Sequence, residues 1–320
     1  MGNVSVWIWV GFFALVLTML AVDLGASRRR TGAMSLRTAA LWSAIWIGVA
    51  LLFNLGIYLW RGAEPALEFL TAYLIEKSLS VDNLFVFVVI FSVFAVPAAN
   101  QRRVLFWGVL GALVMRGIFI FAGAALLHRF NWLMYVFGAF LIFTAFKLGL
   151  GGETKIDPER NVLIRLFRKI MPVTDHLEGE SFFVRHAGVL MATPLFLVLL
   201  VVESTDLVFA VDSIPAVLAV TQNPFLVYTS NVFAILGLRA LYFLLAGAMV
   251  KFHYLKVGLS LILGFVGIKM LIAGFFKIPI MLSLGVIASV LIISVVASLM
   301  RERRLGQAAD PELEATAPTG

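Results

Sequence analysis

Residues 187–220 read AGVLMATPLFLVLLVVESTDLVFAVDSIPAVLAV, an apolar run that carries Glu203, Asp206 and Asp212 in its second half. A second stretch, EKSLSVDNLFVF at 76–87, sets Glu76 and Asp82 in similar surroundings. Each such carboxylate, ionised and unpaired, costs roughly 2.5–3.5 kcal/mol at the centre of a membrane-spanning helix, so something must compensate for it. The first run is too long for one straight span. Pro194 and Pro215 each remove a backbone donor, and a broken or re-entrant segment is expected there.

The surrounding chain makes a bilayer the only solvent that fits. Of 320 residues, 62% are hydrophobic and 13% charged, against about 45–50% and about 25% in soluble domains. A chain of this length cannot bury that much apolar surface on itself, so lipid must cover the remainder. There is no cysteine, which excludes a disulfide scaffold and any thiolate site. The net charge of +7 does not point to nucleic acid, because the basic residues recur as short clusters between apolar runs. Residues 1–27 contain no Lys or Arg, so the basic n-region of a signal peptide is missing and a retained first helix is expected.

Apolar runs of spanning length fall at 5–24, 38–60, 67–95, 104–127, 131–150, 187–220, 225–250, 254–276 and 278–300, giving nine expected transmembrane helices and an all-α polytopic fold. No strands are expected, since the runs lack the alternation of a barrel. One set of alternate connections holds 17 basic residues and the other only Arg61, Arg129 and Lys277. Setting aside the long 151–186 loop leaves 11 against 3, which puts the N-terminus outside and the C-terminus in the cytoplasm. That loop contains NVLIRLFRKIM, with Arg165, Arg168 and Lys169 on one helical face, as in a helix lying on the cytoplasmic lipid surface. Residues 305–320 are rich in Ala, Pro, Glu and Thr and are expected to be disordered.

The chain repeats itself internally. GALVMRGIFIFAG around Arg116 parallels AILGLRALYFLLAG around Arg239, and Lys147 and Lys269 follow those arginines by 31 and 30 residues. Asp82 and Asp206 precede them by 34 and 33 residues, a closer match than the alternative pairing of Glu76 with Asp206 and Asp82 with Asp212. Each unit, 67–150 and 187–276, holds three spans; an odd number inverts the second unit about an axis in the membrane plane. Residues 1–66 and 277–304 are then peripheral helices.

Glu76, Ser80 and Asn83 share a helical face, with Asp82 adjacent, and Glu203 and Asp206 lie one turn apart. Asp212 and Ser213 stand just before Pro215, where a break would free carbonyl oxygens. Carboxylate, amide, hydroxyl and carbonyl oxygens describe a site for a hard divalent cation, Mn²⁺, Mg²⁺ or Ca²⁺. Zinc and copper fit poorly, because His128, His176, His186 and His253 all lie at or beyond span ends. Arg116, Arg239 and Lys269 are the charges that could pair with the acids instead, and Asn231 is either helix glue or a further ligand. An intramembrane aspartyl protease would want two acids in a Gly-x-Gly-Asp setting, and that string does not occur.

EKSLSVDNLFVFVVIFSVFAVP (76–97), QRRVLFWGVLGALVMRGIFI (101–120), ATPLFLVLLVVESTDLVFAVDSIPA (192–216), TSNVFAILGLRALYFLLAG (229–247) and GFVGIKMLI (264–272) together resemble the TerC/Alx family of bacterial membrane proteins. The resemblance covers about residues 68–290. It implies a multi-pass protein of the bacterial cytoplasmic membrane, linked to tellurium-resistance loci and manganese homeostasis, some of whose members export Mn²⁺. It further implies that Glu76, Asp82, Asn83, Glu203, Asp206, Asp212 and Ser213 form the ion path. An oxyanion such as tellurite would be repelled by those carboxylates. The expected activity is Mn²⁺ export by alternating access, not an enzymatic one. The alternatives are a Ca²⁺ transporter and a scaffold in which the acids only pair with basic side chains.

Overall fold

The apolar runs fold as helices, and the computed structural model describes residues 5–28, 35–130, 132–150, 162–186, 188–246, 254–276 and 278–315. Helices α1 (Val6–Arg28), α2 (Leu36–Arg61), α3 (Ala63–Val93), α4 (Ala98–Arg129) and α5 (Leu133–Gly149) come first. A short helix α6 (Val162–Ile170) and strands β1 (Phe183–His186) and β2 (Val189–Ala192) lead into α7 (Pro194–Leu218). α8 (Pro224–Leu236), α9 (Leu238–Ala246), α10 (Leu255–Ile272) and α11 (Ile280–Ala315) follow. Leu36–Arg61, Ala98–Arg129, Pro194–Leu218, Pro224–Leu244 and Ile280–Arg301 are long and apolar enough to cross a bilayer, while Val6–Val22 and Leu133–Gly149 are shorter apolar helices.

Local chemistry sets the boundaries. Ser35 Oγ accepts from Thr38 N at 3.3 Å to cap α2, and Asn223 Oδ1 accepts from Phe225 N at 3.1 Å to cap α8. Gly62, at φ +90, turns the chain between α2 and α3 in a conformation that favours glycine. Pro194 and Pro224 occupy the first turns of α7 and α8, where a missing N–H costs nothing.

Three expectations change here. The 187–220 run is divided before Pro194, into strand β2 and helix α7, and not within the helix: Pro194 starts α7 and Pro215 stands three residues from its end, so α7 itself is continuous. The interruption falls in the next span instead, at Gly237 between α8 and α9. Strands do occur, as one antiparallel hairpin pairing Phe183 with Ala192 and His186 with Val189 before α7 begins. At the C-terminus, the backbone is helical to Ala315, across much of the tail read as disordered.

α8 and the start of α9 are buried nearly throughout, packed on α2, α3 and α4. α3 packs on α8, α4 on α7, and α5 on α10. Aromatic rings tie the outer elements to this centre: Trp9 meets Phe225 at 5.1 Å and Phe53 meets Phe233 at 4.7 Å between ring centroids. Trp9, near the start of α1, therefore packs inward. α2 and α11 turn large apolar side chains such as Leu52, Leu59, Ile292 and Ile293 outward, as a lipid-facing surface does. α6 buries Ile164 and sets Phe167 against Phe196 of α7 at 5.0 Å, leaving Arg165, Arg168 and Lys169 exposed. Of the charges used to read orientation, Arg29, Arg30, Lys155, Arg160, Lys251 and Lys277 lie outside the described residues, as does His253.

Candidate ion site

Arg116, at the middle of α4, is a large side chain with no exposed surface. A guanidinium does not lose its proton in proteins, so burying it demands anions. Asp206 of α7 supplies one as a two-pronged contact: Arg116 Nε donates to Oδ2 at 3.0 Å and Nη2 to Oδ1 at 2.8 Å. Arg116 Nη1 pairs with Glu76 of α3, which is also fully buried, and reaches Ser213 Oγ at 3.5 Å. Acids from both halves of the sequence thus meet on one arginine.

The register of a continuous α7 explains which residues take part. Ser213 follows Asp206 by seven residues, two helical turns, and shares its stripe; Asp212 is rotated away. Asp212 does not join the cluster. It is half-buried and accepts from Thr144 of α5 at 3.1 Å, on a side where Lys147 is its nearby charge. Glu203 lies one turn before Asp206, with its carboxylate against the backbone of α4 at Gly111. A Cβ there would come within 2.7 Å of Glu203 Oε2. Glycine at 108 likewise lets Val202 approach α4, where a Cβ would be 3.1 Å from its side chain. Small residues on α4 therefore bring α7 close enough for its carboxylates to reach Arg116.

Several buried oxygens near these residues in sequence have no hydrogen-bond partner among the described residues. They are Glu76 Oε2, Ser80 Oγ, Glu203 Oε2 and Asn231 Oδ1. Ser80 and Asn83 are buried on α3, and Asn231 is buried on α8. Buried polar atoms are almost always paired, so each of these oxygens is a candidate acceptor for a ligand. Among the described residues, no three His, Cys, Asp or Glu side chains stand together as a ready-made metal cage. The acids contact Arg116 instead. A small cavity of about 10 Å³, lined by Phe87, Leu105, Gly108, Val202 and Leu238, reaches Asp206. It has room for about one water molecule.

The remaining candidates scatter. The side chain of Asp82 lies outside the described residues, although its backbone belongs to α3. Arg239 is buried on α9. Lys269 is half-buried on α10 and has Glu68 of α3 as its nearby charge. Glu68 itself accepts from Thr221 Oγ1 at 2.7 Å. The sequence reading passed over Glu68 because it stood at the edge of the 67–95 run, whereas α3 begins at Ala63 and holds it in its second turn. Thr144 and Gly111 were also missed. The glycine spacing on α4 hinted at Gly111, and nothing in the sequence pointed to Thr144 on α5.

Comparison with known proteins agrees with this architecture. Residues 61–305 match the model of the integral membrane protein TerC family. The chain is 53% identical over 311 residues to a protein of Myxococcus xanthus named Uncharacterized membrane protein STKORF319, covering 97% of this chain and 96% of that one. It is 52% identical over 296 residues to a protein of Escherichia coli K12 named Putative membrane-bound redox modulator Alx, covering 90% and 92% respectively. A membrane protein of Rickettsia bellii is 40% identical over 294 residues, 92% of this chain and 97% of its own. No solved structure matches. With a family match over most of its length and these relatives along nearly all of it, the chain belongs to the TerC family of integral membrane proteins.

Proposed function

We propose that the protein is a carrier that exports a hard divalent cation, Mn²⁺ in the first instance, from the bacterial cytoplasm by alternating access. The observation that carries this reading is the meeting of Glu76 and Asp206 on Arg116. Arg116 takes the place of the cargo in the empty carrier. Glu76 and Asp206 face the Arg116 guanidinium, and Glu203 lies one turn from Asp206 against Gly111 of α4; if all were ionised, the three acids and one arginine would sum to two negative charges, which one divalent cation balances. The metal would be held by Glu76 and Asp206, with Glu203, Ser80, Ser213 and Asn231 as further oxygen donors.

The packing supports two inverted repeats. α3, α4 and α5 correspond in order to α7, α8–α9 and α10. A two-fold axis would exchange the pair α3 with α8 for the pair α7 with α4, and would bring α5 onto its own counterpart α10, as their packing requires. Asp82 is then the sequence counterpart of Asp206, and Arg239 of Arg116. Asp82 and Asn83 remain candidate ligands of the second half. With the N-terminus outside, the cavity at Asp206 lies toward the cytoplasmic ends of α4 and α7, as an entry path would.

Alx relatives carry the word redox in their name. This chain has no cysteine, so any redox role would not run through thiol–disulfide exchange. The deciding experiment is Mn²⁺ flux into liposomes that hold the purified protein, read with an internal metal-quenched dye. Flux in the wild type and none with Asp206→Asn is expected. A wild type without metal-dependent flux would leave the scaffold reading, in which the acids serve only to pair with Arg116.

A further inference from the structure

The span 224–246 is interrupted at Gly237, and helix ends leave carbonyl groups without intrahelical partners. One of them, Ala234 O, accepts a hydrogen bond from Lys77 Nζ at 3.1 Å. Lys77 comes from α3 and follows Glu76 directly. An ammonium has three donors, yet Ala234 O is the one hydrogen-bond partner of Lys77 among the described residues, and no carboxylate there pairs with it. The fit around the interruption is close. A Cβ at residue 237 would lie 2.9 Å from Lys77 Nζ and 3.1 Å from Trp46 Cβ.

Both sides of the interruption pack on α2, α3 and α4, but different side chains fasten each one. α8 is held by rings from the N-terminal helices, with Phe225 on Trp9 and Phe233 on Phe53 and Phe69. On α9, Tyr242 OH donates a hydrogen bond to Gln101 Oε1 of α4 at 2.9 Å, and the Tyr242 ring sits edge-on to Phe91, near the far end of α3, at 5.5 Å. Asn231, with its unpartnered oxygen, stands on α8, and the buried Arg239 stands on α9.

We propose that Gly237 is a hinge between these two fastened segments and that Lys77 is the positioning residue that latches it. Because Lys77 adjoins Glu76, a shift of α3 that frees Glu76 from Arg116 also moves the latch, and the angle between Asn231 and Arg239 changes with it. The use of the hinge in transport rests on the carrier reading; the hinge and its latch do not.

The chain has no cysteine, so Gln222→Cys and Leu244→Cys introduce the only two labelling points, an exposed one before α8 and a half-buried one on α9. They are ~33 Å apart along the helix at 1.5 Å per residue, within the range of pulsed electron–electron distance measurement on attached spin labels. The parent protein should give one narrow distance distribution. Lys77→Met should broaden it or add a second population, and Lys77→Arg, which keeps a donor, should restore the narrow one. Gly237→Ala should shift the distribution, and adding Lys77→Met to it should change nothing further. A distribution in folded Lys77→Met that matches the parent overturns the latch. Should Lys77→Met fail to fold, an unshifted Gly237→Ala overturns the hinge. Mn²⁺ flux measured on the same samples separates the two readings. Flux with invariant distances refutes the hinge alone, and latch-dependent distances without flux refute the carrier alone.

Discussion

Asp206→Asn removes half of the charge that neutralises Arg116 and leaves a guanidinium that cannot discharge inside the protein. Breaking one side of a buried pair costs about 3–5 kcal/mol. The variant should therefore unfold well below the parent temperature in detergent, as well as lose protection of cells against Mn²⁺. A variant with parental stability would mean that Glu76 alone is enough to neutralise Arg116. Thr144→Val makes the opposite case. It deletes the hydrogen bond to Asp212 at 3.1 Å, worth about 1.5–3 kcal/mol for a charged acceptor, on a face of α7 turned from Arg116. Stability should fall by that amount while Mn²⁺ accumulation in cells stays at the wild-type level; a rise in accumulation would bring Asp212 back into the ion path. This division was only partly legible in the sequence. Helical spacing grouped Glu203 with Asp206, but a supposed break at Pro215 drew Asp212 and Ser213 together. The continuous helix keeps Ser213 with Asp206 and turns Asp212 to α5. Nothing in a linear pattern could say that Glu76 and Asp206 would meet on the same arginine, since that depends on how closely α7 packs on α4.

The helices themselves were legible because hydrocarbon allows little else: a backbone in lipid must satisfy its own hydrogen bonds. Proline was misleading because its effect depends on position. At the start of α7 and α8 it removes a donor that has no partner anyway, and at Pro215 it acts only on the last turn. Glycine marked the real interruption, at 237, where room rather than propensity decides. The hairpin before α7 escaped notice because its strands are four residues each, with β1 in the polar 151–186 loop and β2 hidden inside the apolar run. The end of α3 offers an element-level test. Ala95 has φ +47, in the left-handed region, while Val96 N donates to Phe91 O at 2.9 Å to close the turn into α4. A residue with a Cβ pays about 1–2 kcal/mol for that conformation, and glycine gives back about 0.4–1 kcal/mol through its looser unfolded chain. Ala95→Gly should thus stabilise the protein by ~0.5–1 kcal/mol. A lower unfolding temperature for that variant would show that the Ala95 methyl group makes packing contacts worth more than the backbone relief.

Taken as a machine, the molecule has to release what it uses to hold itself empty. Arg116 occupies the carboxylates that a metal would need, so Mn²⁺ and the guanidinium compete for Glu76 and Asp206. Competition of this kind has a sign that a purely structural arginine would not produce. Replacing the competitor by a neutral side chain of similar length frees both acids, and Arg116→Gln should bind Mn²⁺ at least ~10-fold more tightly, equivalent to ~1.4 kcal/mol. The same change removes the cation that stabilises the unloaded carrier during its return, so export should slow even as binding tightens. Mass action makes the binding half measurable without transport, because a ligand at a hundred times its dissociation constant adds ~2.7 kcal/mol to unfolding. In a Mn²⁺ titration followed by thermal unfolding, Arg116→Gln should reach its stabilised plateau at lower metal than the parent, and Asp206→Asn should show none. Weaker binding in Arg116→Gln would mean that the arginine helps to build the metal site rather than filling it, and the exchange between guanidinium and metal would have to be abandoned.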